Sequence, residues 1–187
     1  MEKQELPIKS LRFFPYWNPN HPDQIIGFLN VICYILDKKP YINNWVELGS
    51  FGGESASMVL GFPKIKHIDC IDKDEDHVKN LSVKFKKEIL KNRCSVYNNT
   101  SHDFLNNIPN NYMDVVYIDA CHDYDFVKQD IELSFDKLTN DGYLCGHDYN
   151  IEYHPFPGVI KAVDEFAEKH DLSIVKFIDN SWVMEKK

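Results

Sequence analysis

Residues 45–55 read WVELGSFGGES: an apolar run broken by Glu47, then a turn holding Gly49, Gly52 and Gly53, then the start of a helical pattern. Glycine has no Cβ, so glycines gathered where a strand ends imply backbone that must come close to something. What the turn is shaped to approach decides both the fold class and the direction of the functional argument.

Outward from the turn, extended and helical patterns alternate. Residues 41–48 read as a strand, 54–62 as a helix, 66–72 as a second strand and 74–91 as one long amphipathic helix. A third strand over 93–99 and a short helix over 102–109 follow. Then comes MDVVYIDA (113–120), a nearly continuous apolar run of the kind expected for a strand covered on both faces. A helix over 124–138, a strand over 142–149 and a helix over 158–170 continue the alternation, and 172–178 and 181–186 close the chain as two strands. Upstream, apolar residues at Ile25, Phe28, Leu29, Ile32, Ile35 and Leu36 recur with a helical period, with Pro22 suited to a first turn. The expected fold is a doubly wound α/β domain of the Rossmann-like kind. Its seven-stranded sheet is mostly parallel, with helices on both faces and an antiparallel terminal hairpin. Residues 1–24, with Pro7, Pro15, Pro22 and the aromatics Phe13, Phe14, Tyr16 and Trp17, read as an irregular lead or lid, and 25–187 as the domain itself.

Composition narrows the function classes. The chain has 187 residues, 43% hydrophobic and 27% charged, enough for one domain with a sizeable core. A formal charge of −8 argues against a nucleic-acid surface, and the lysines of 79–93 fit the solvated side of an amphipathic helix. Cys33, Cys70, Cys94, Cys121 and Cys145 are odd in number and scattered, which builds neither a zinc site nor a disulfide framework. With no apolar run of membrane-spanning length and no signal core at the start, the expected setting is a reduced cytoplasm without membrane attachment.

Three ligands can be tested against the turn. A P-loop requires a second glycine at 54 with lysine behind it, but Glu54 stands there. A dinucleotide fingerprint requires glycine at 51 and 54, which are Phe51 and Glu54. A phosphate-free, cationic nucleoside fits better: Glu47 repels phosphate and suits an amino group, while Asp72, closing the second strand, can accept both ribose hydroxyls. S-adenosylmethionine has those features.

At this point the chain resembles a known family. VELGSFGGES, IDCIDKD, the run from MDVVYIDACHDYDF to GYLCGHDY, and PGVIKAVDEFA with SWVMEK together resemble class I S-adenosylmethionine-dependent methyltransferases, with the likeness spanning roughly 41–187. The closest look is to small O-methyltransferases of the macrocin type, with Phe51 in place of the family's middle glycine. The resemblance implies transfer of a methyl group to a small-molecule hydroxyl, and it admits Mg2+ as a helper and a homodimer as the assembly. It implies a cofactor site of Glu47, Gly49, Ser50, Phe51, Gly53, Ser55, Asp72, Ser101 and Asp119, with Thr100 and Ser101 near the adenine. It also implies metal ligands Asp119 and Asp148, completed by His147 or a neighbouring oxygen, and catalytic roles for His122 and Asp119.

Each of these residues has a plainer reading. The aspartates at strand ends can cap the next helix, and Asp123 is the natural cap for the helix beginning near Tyr124. Two histidines, His122 and His147, at neighbouring strand ends nevertheless favour chemistry, since imidazole abstracts protons near neutral pH. Cys121 beside His122 points the opposite way along an extended segment and makes a poor nucleophile pair. His154, Pro155, Phe156 and Pro157 either line the acceptor pocket or form a rigid connection, and His21, His67, His77 and His170 read as surface residues. The rival functions are a nucleoside-binding module that transfers nothing and a nicotinamide-dependent oxidoreductase.

Overall fold

A computed structural model describes residues 22–150 and 155–187. The elements in chain order are α1 (Pro22–Lys38), β1 (Ile42–Leu48), α2 (Glu54–Leu60), β2 (Ile65–Asp72), α3 (Glu75–Lys84), α4 (Lys86–Leu90), β3 (Cys94–Asn98), α5 (Ser101–Asn107), β4 (Met113–Ile118), α6 (Tyr124–Lys137), β5 (Leu138–Gly146), α7 (Pro157–His170), β6 (Val175–Lys176) and β7 (Trp182–Glu185). They form one seven-stranded sheet of order β3-β2-β1-β4-β5-β7-β6. The pairs from β3 to β5 are parallel, and β7 runs antiparallel to both β5 and β6. The mostly parallel sheet with a terminal hairpin is the architecture that the alternating pattern implies.

Side chains alternate across the pleat and divide the core in two. Trp45 of β1 faces a layer with Phe28, Ile32, Val59 and Leu81, so α1, α2 and α3 cover that side. Its neighbour Val46 faces Phe104, Ile131, Val163 and Met184, so α5, α6 and α7 cover the other. At the lower rim the two middle strands are tied by a carboxylate. Asp114, almost fully buried, accepts the backbone N–H groups of Asn43 (2.6 Å) and Asn44 (3.2 Å) and pairs with Lys39 at 2.8 Å.

The structure departs from the sequence pattern in three places. The expected helix over 74–91 is two helices joined at Phe85, whose buried ring packs against the glycine turn. The fifth strand starts at Leu138, before Gly142, because a register shift between Met113 and Val115 lets the chain pair directly after α6. The penultimate strand is only Val175–Lys176, although the apolar pattern runs from 172 to 178. Among the described residues no helix is long and apolar enough to cross a membrane. Of the irregular lead expected over 1–24, residues 22–24 instead open α1. Residues 1–21, with Phe13, Phe14, Tyr16, Trp17 and His21, lie outside the described residues, as does His154.

The sheet order reverses between β1 and β4: the chain builds outward from β1 through β2 to β3, then returns to lie beside β1. In an open α/β sheet the ligand crevice opens at this switch, beyond the carboxyl ends of the strands. Glu47, Asp72, Asp119 and Asp148 all stand at that rim.

Candidate active site

The glycine turn is held by its neighbours on every side. Gly49 has φ of +88°, and a side chain there would overlap the backbone carbonyl of Asp119. The sequence reads as glycines making room for a ligand; at Gly49 the close neighbour is instead the end of β4, whose Asp119 amide donates to the Leu48 carbonyl at 2.9 Å. Gly49 and Ser50 both donate to the Ile71 carbonyl, at 2.9 and 3.1 Å. Phe51 has a positive φ of 41°, a strained choice for a bulky residue, and its amide donates to Asp72 at 2.8 Å. Gly53 also lies in the left-handed region, packed on Leu81 and Phe85.

Two carboxylates frame this turn. Glu47 is fully buried; Ser55 donates to its Oε1, while Oε2 is buried with no partner. Burial pushes its carboxyl up to about 7, against hydrogen bonds from Ser55 and Ser50 that favour ionisation. Asp72, almost buried, already accepts from Phe51 on Oδ2 and from the Asp74 amide on Oδ1 (2.9 Å), with the His77 Nδ1 3.3 Å from Oδ1. His77, read from sequence as a surface residue, therefore belongs to this site, and its ring meets Phe51 edge-on at 4.6 Å between centroids. His67 is also drawn into a polar cluster, 3.0 Å from the fully buried Asp69. Ser101, placed by resemblance near the adenine, begins α5; burial lifts the carboxyl of Asp130 of α6 to about 6, with Ser101 acting against the rise.

A second group gathers in a cleft lined by Asp119, Cys121, His122, His147, Asp148 and Trp182, among others. The His122 Nε2 lies 2.7 Å from Asp148 Oδ2 and 4.0 Å from Asp119 Oδ1, and His147 Nδ1 lies 3.2 Å from Asp148 Oδ1. Asp119 lies deep in the cleft yet keeps 37% of its side-chain surface exposed, and burial lifts its carboxyl to about 6. Burial also opposes ionisation of Asp148, but hydrogen bonds and charge from His147 and His122 prevail and hold it below its usual range. For His147, burial favours the neutral ring; the hydrogen bond to Asp148 and the charges of Asp119 and Asp148 outweigh it and raise the imidazole to about 9.

The donors of Asp119, His122 and Asp148 lie within 4.8 Å of one another, close enough to share a metal ion. This grouping differs from the one the resemblance implies. His122 stands in it and His147 does not, because the Asp148 carboxylate sits between the two rings.

Asp148 reaches this position through a left-handed backbone, φ of 63°, fixed on both sides. His147 N donates to the Ile118 carbonyl, the Trp182 indole donates to the His147 carbonyl, and Tyr149 N donates to the Asn180 carbonyl. Phe156, just before α7, stacks on the His122 ring at 4.1 Å and fixes its plane. Asp123 occupies the N-cap position of α6 without a side-chain capping bond. Phe156 belongs to the 154–157 segment that the sequence offers as acceptor-pocket lining, whereas Trp182 has no signal in the sequence beyond being aromatic.

Comparison with known proteins decides the family. Residues 46–149 match the family described as a methyltransferase domain, more than half of the chain and the whole region of both strand-end clusters. The chain belongs to that family. Its fold is that of class I S-adenosylmethionine-dependent methyltransferases. An O-methyltransferase from Bacillus cereus solved with S-adenosylhomocysteine superposes with a TM-score of 0.63 at 15% identity, covering 96% of this chain and 87% of that one. The N-methyltransferase NodS from Bradyrhizobium japonicum gives a TM-score of 0.65 at 14% identity, covering 90% and 97%. Uncharacterized protein R132 of Acanthamoeba polyphaga mimivirus is 31% identical over 131 residues, 66% of this chain. The methyltransferase chain spans 58% of the length of that relative.

Proposed function

We propose that this chain binds S-adenosylmethionine and methylates a hydroxyl oxygen of a small molecule, with His122 as the base. The observation that carries the cofactor half is Glu47: a buried carboxylate oxygen without a partner, beside a glycine turn and one strand from Asp72. An ammonium group satisfies that oxygen and favours its charged form; inorganic phosphate or a pyrophosphate does neither. Ser50, Phe51 and Ser55 line the same turn, and Asp72 has unshared lone pairs for the ribose hydroxyls.

When bound, S-adenosylmethionine supplies an electrophilic methyl carbon on a sulfonium. The acceptor oxygen forms the new C–O bond as the C–S bond breaks in line, giving a methyl ether and S-adenosylhomocysteine. The chain's residues hold the acceptor and take its proton. His122 receives that proton at a ring nitrogen, while Asp148, 2.7 Å from Nε2, orients the ring and favours the imidazolium that forms. Phe156 holds the ring plane. The macrocin-type likeness of the two HDY segments supports oxygen as the acceptor atom.

The donor set also suits a divalent cation such as Mg2+. Asp119 and Asp148 offer the hard carboxylate oxygens such ions prefer, and with His122 they are close enough to share one. An ion that took the His122 nitrogen would replace that residue as the means of deprotonating the acceptor. A cation there would lower the pKa of an acceptor hydroxyl. His147, hydrogen-bonded to Asp148 and outside the cluster of three donors, stands apart from the shell that the resemblance implies.

Isothermal titration with S-adenosylhomocysteine, with and without Mg2+, tests the reading. Micromolar binding supports it, and tighter binding with Mg2+ supports the cation site. No binding under either condition overturns the assignment of the glycine turn. Binding with no methyl transfer to any of a panel of sugars, phenols and hydroxy acids favours the non-catalytic module.

A further inference from the structure

The glycine turn has tethers from two directions. From β2 come the Ile71 carbonyl and the Asp72 carboxylate. From α3 comes Lys84, whose Nζ donates to the Gly52 carbonyl at 2.6 Å and lies 3.7 Å from Glu54 Oε1. We propose that Lys84 is a positioning residue for the amino-acid end of S-adenosylmethionine, holding the outer half of the turn in its binding shape. The proposal rests on the cofactor reading given above.

The geometry explains why such a tether is needed. Gly52 and Gly53 are adjacent, and a Gly–Gly peptide can rotate at little steric cost. Phe51, immediately before them, is in a strained positive-φ conformation that persists only where the surroundings impose it. The Asp72 bond to the Phe51 amide and the Lys84 bond to the Gly52 carbonyl lie on either side of that strain. With the Gly52 carbonyl drawn toward α3, the amide of the same peptide, Gly53 N, points the other way and donates to the Ser50 carbonyl at 2.7 Å. Lys84 thus fixes the plane of the peptide that closes the turn.

The surroundings hold the side chain in place. The Lys84 side chain is largely covered, and burial lowers its pKa below the usual lysine value, outweighing Glu54 and Glu47, which favour the charge. Its ammonium lies 5.6 Å from the centroid of the Phe85 ring, which with Leu81 packs on Gly53, so the end of α3 grips the turn through three neighbouring side chains. The lysine also ends its helix, where a cation is favoured by the backbone dipole.

The test uses two ligands that share the nucleoside but differ in the amino-acid part: S-adenosylhomocysteine and 5′-methylthioadenosine, which lacks it. Both are titrated into wild type, Lys84→Met and Lys84→Arg, and melting temperatures are recorded without ligand. The expected result is an S-adenosylhomocysteine dissociation constant raised about tenfold in Lys84→Met. Methylthioadenosine affinity should change less than threefold, and Lys84→Arg should regain most of the loss. Equal weakening of both ligands, with a lowered melting temperature, would mean a general structural role and would overturn the proposal. Unchanged S-adenosylhomocysteine binding in Lys84→Met would overturn it too, leaving the cofactor reading intact. Failure of wild type to bind either ligand would instead refute the cofactor reading, and the role of Lys84 with it.

Discussion

Glu47→Gln should make the ligand-free protein more stable, by an amount that grows from pH 4.5 and is complete above about 7. Glu47 is fully buried, and burial moves its carboxyl from an ordinary 4.5 to about 7. Below pH 4.5 the group is neutral in both folded and unfolded chains and contributes no difference. As pH rises from 4.5 to 7 the unfolded chain ionises while the folded one does not, so folding stability falls. Above 7 both forms are ionised and the loss is constant. The interval of roughly 2.5 pH units corresponds to about 3 kcal/mol. Glutamine keeps the acceptor for Ser55 and does not titrate. The stability of Glu47→Gln minus that of wild type should therefore be near zero at pH 4 and approach about 3 kcal/mol by pH 8. Urea unfolding followed by fluorescence of the buried Trp45 and Trp182 reads this directly. An S-adenosylhomocysteine ammonium beside Glu47 favours the ionised form, so wild-type affinity should rise as pH approaches 7 and level off above it, while the variant binds weakly at every pH. Parallel stability profiles for the two proteins would refute the claim that Glu47 is held against its charge.

Two further substitutions separate the parts of the framework. Asp72→Ala should weaken both S-adenosylhomocysteine and methylthioadenosine at least tenfold in titration calorimetry, since charge-assisted hydrogen bonds are worth roughly 1.5–3 kcal/mol each and the Phe51 amide loses its acceptor. An unchanged affinity would remove the ribose assignment. Asp114→Ala should destabilise by about 2–4 kcal/mol, because two backbone amides and Lys39 lose a buried acceptor. Ligand affinity of the folded fraction should stay near wild type, which denaturation and titration together would check.

Local chemistry carried much of this protein into its sequence. Apolar runs of strand length separated by helical periods specify a parallel sheet with covered faces, because a strand buried on both sides has no polar face to show. The turn from Gly49 to Gly53 and the acids at Glu47, Asp72 and Asp119 were legible for the same reason: each follows directly from a strand's end. What tertiary structure alone decided lies between elements. The return of β4 to the side of β1 brings the Asp119 carbonyl onto Gly49, and no spacing in the chain records that meeting. The pairing of His122 with Asp148, and the exclusion of His147 from the same cluster, depend on the left-handed backbone at Asp148 and the bonds that hold it. Lys84 and His77 looked like parts of a solvated helix face; the break at Phe85 and the packing of α3 against the turn bring them to Gly52 and Asp72. A helical period reports which residues share a face, but the partner of that face is fixed only when the whole sheet is assembled.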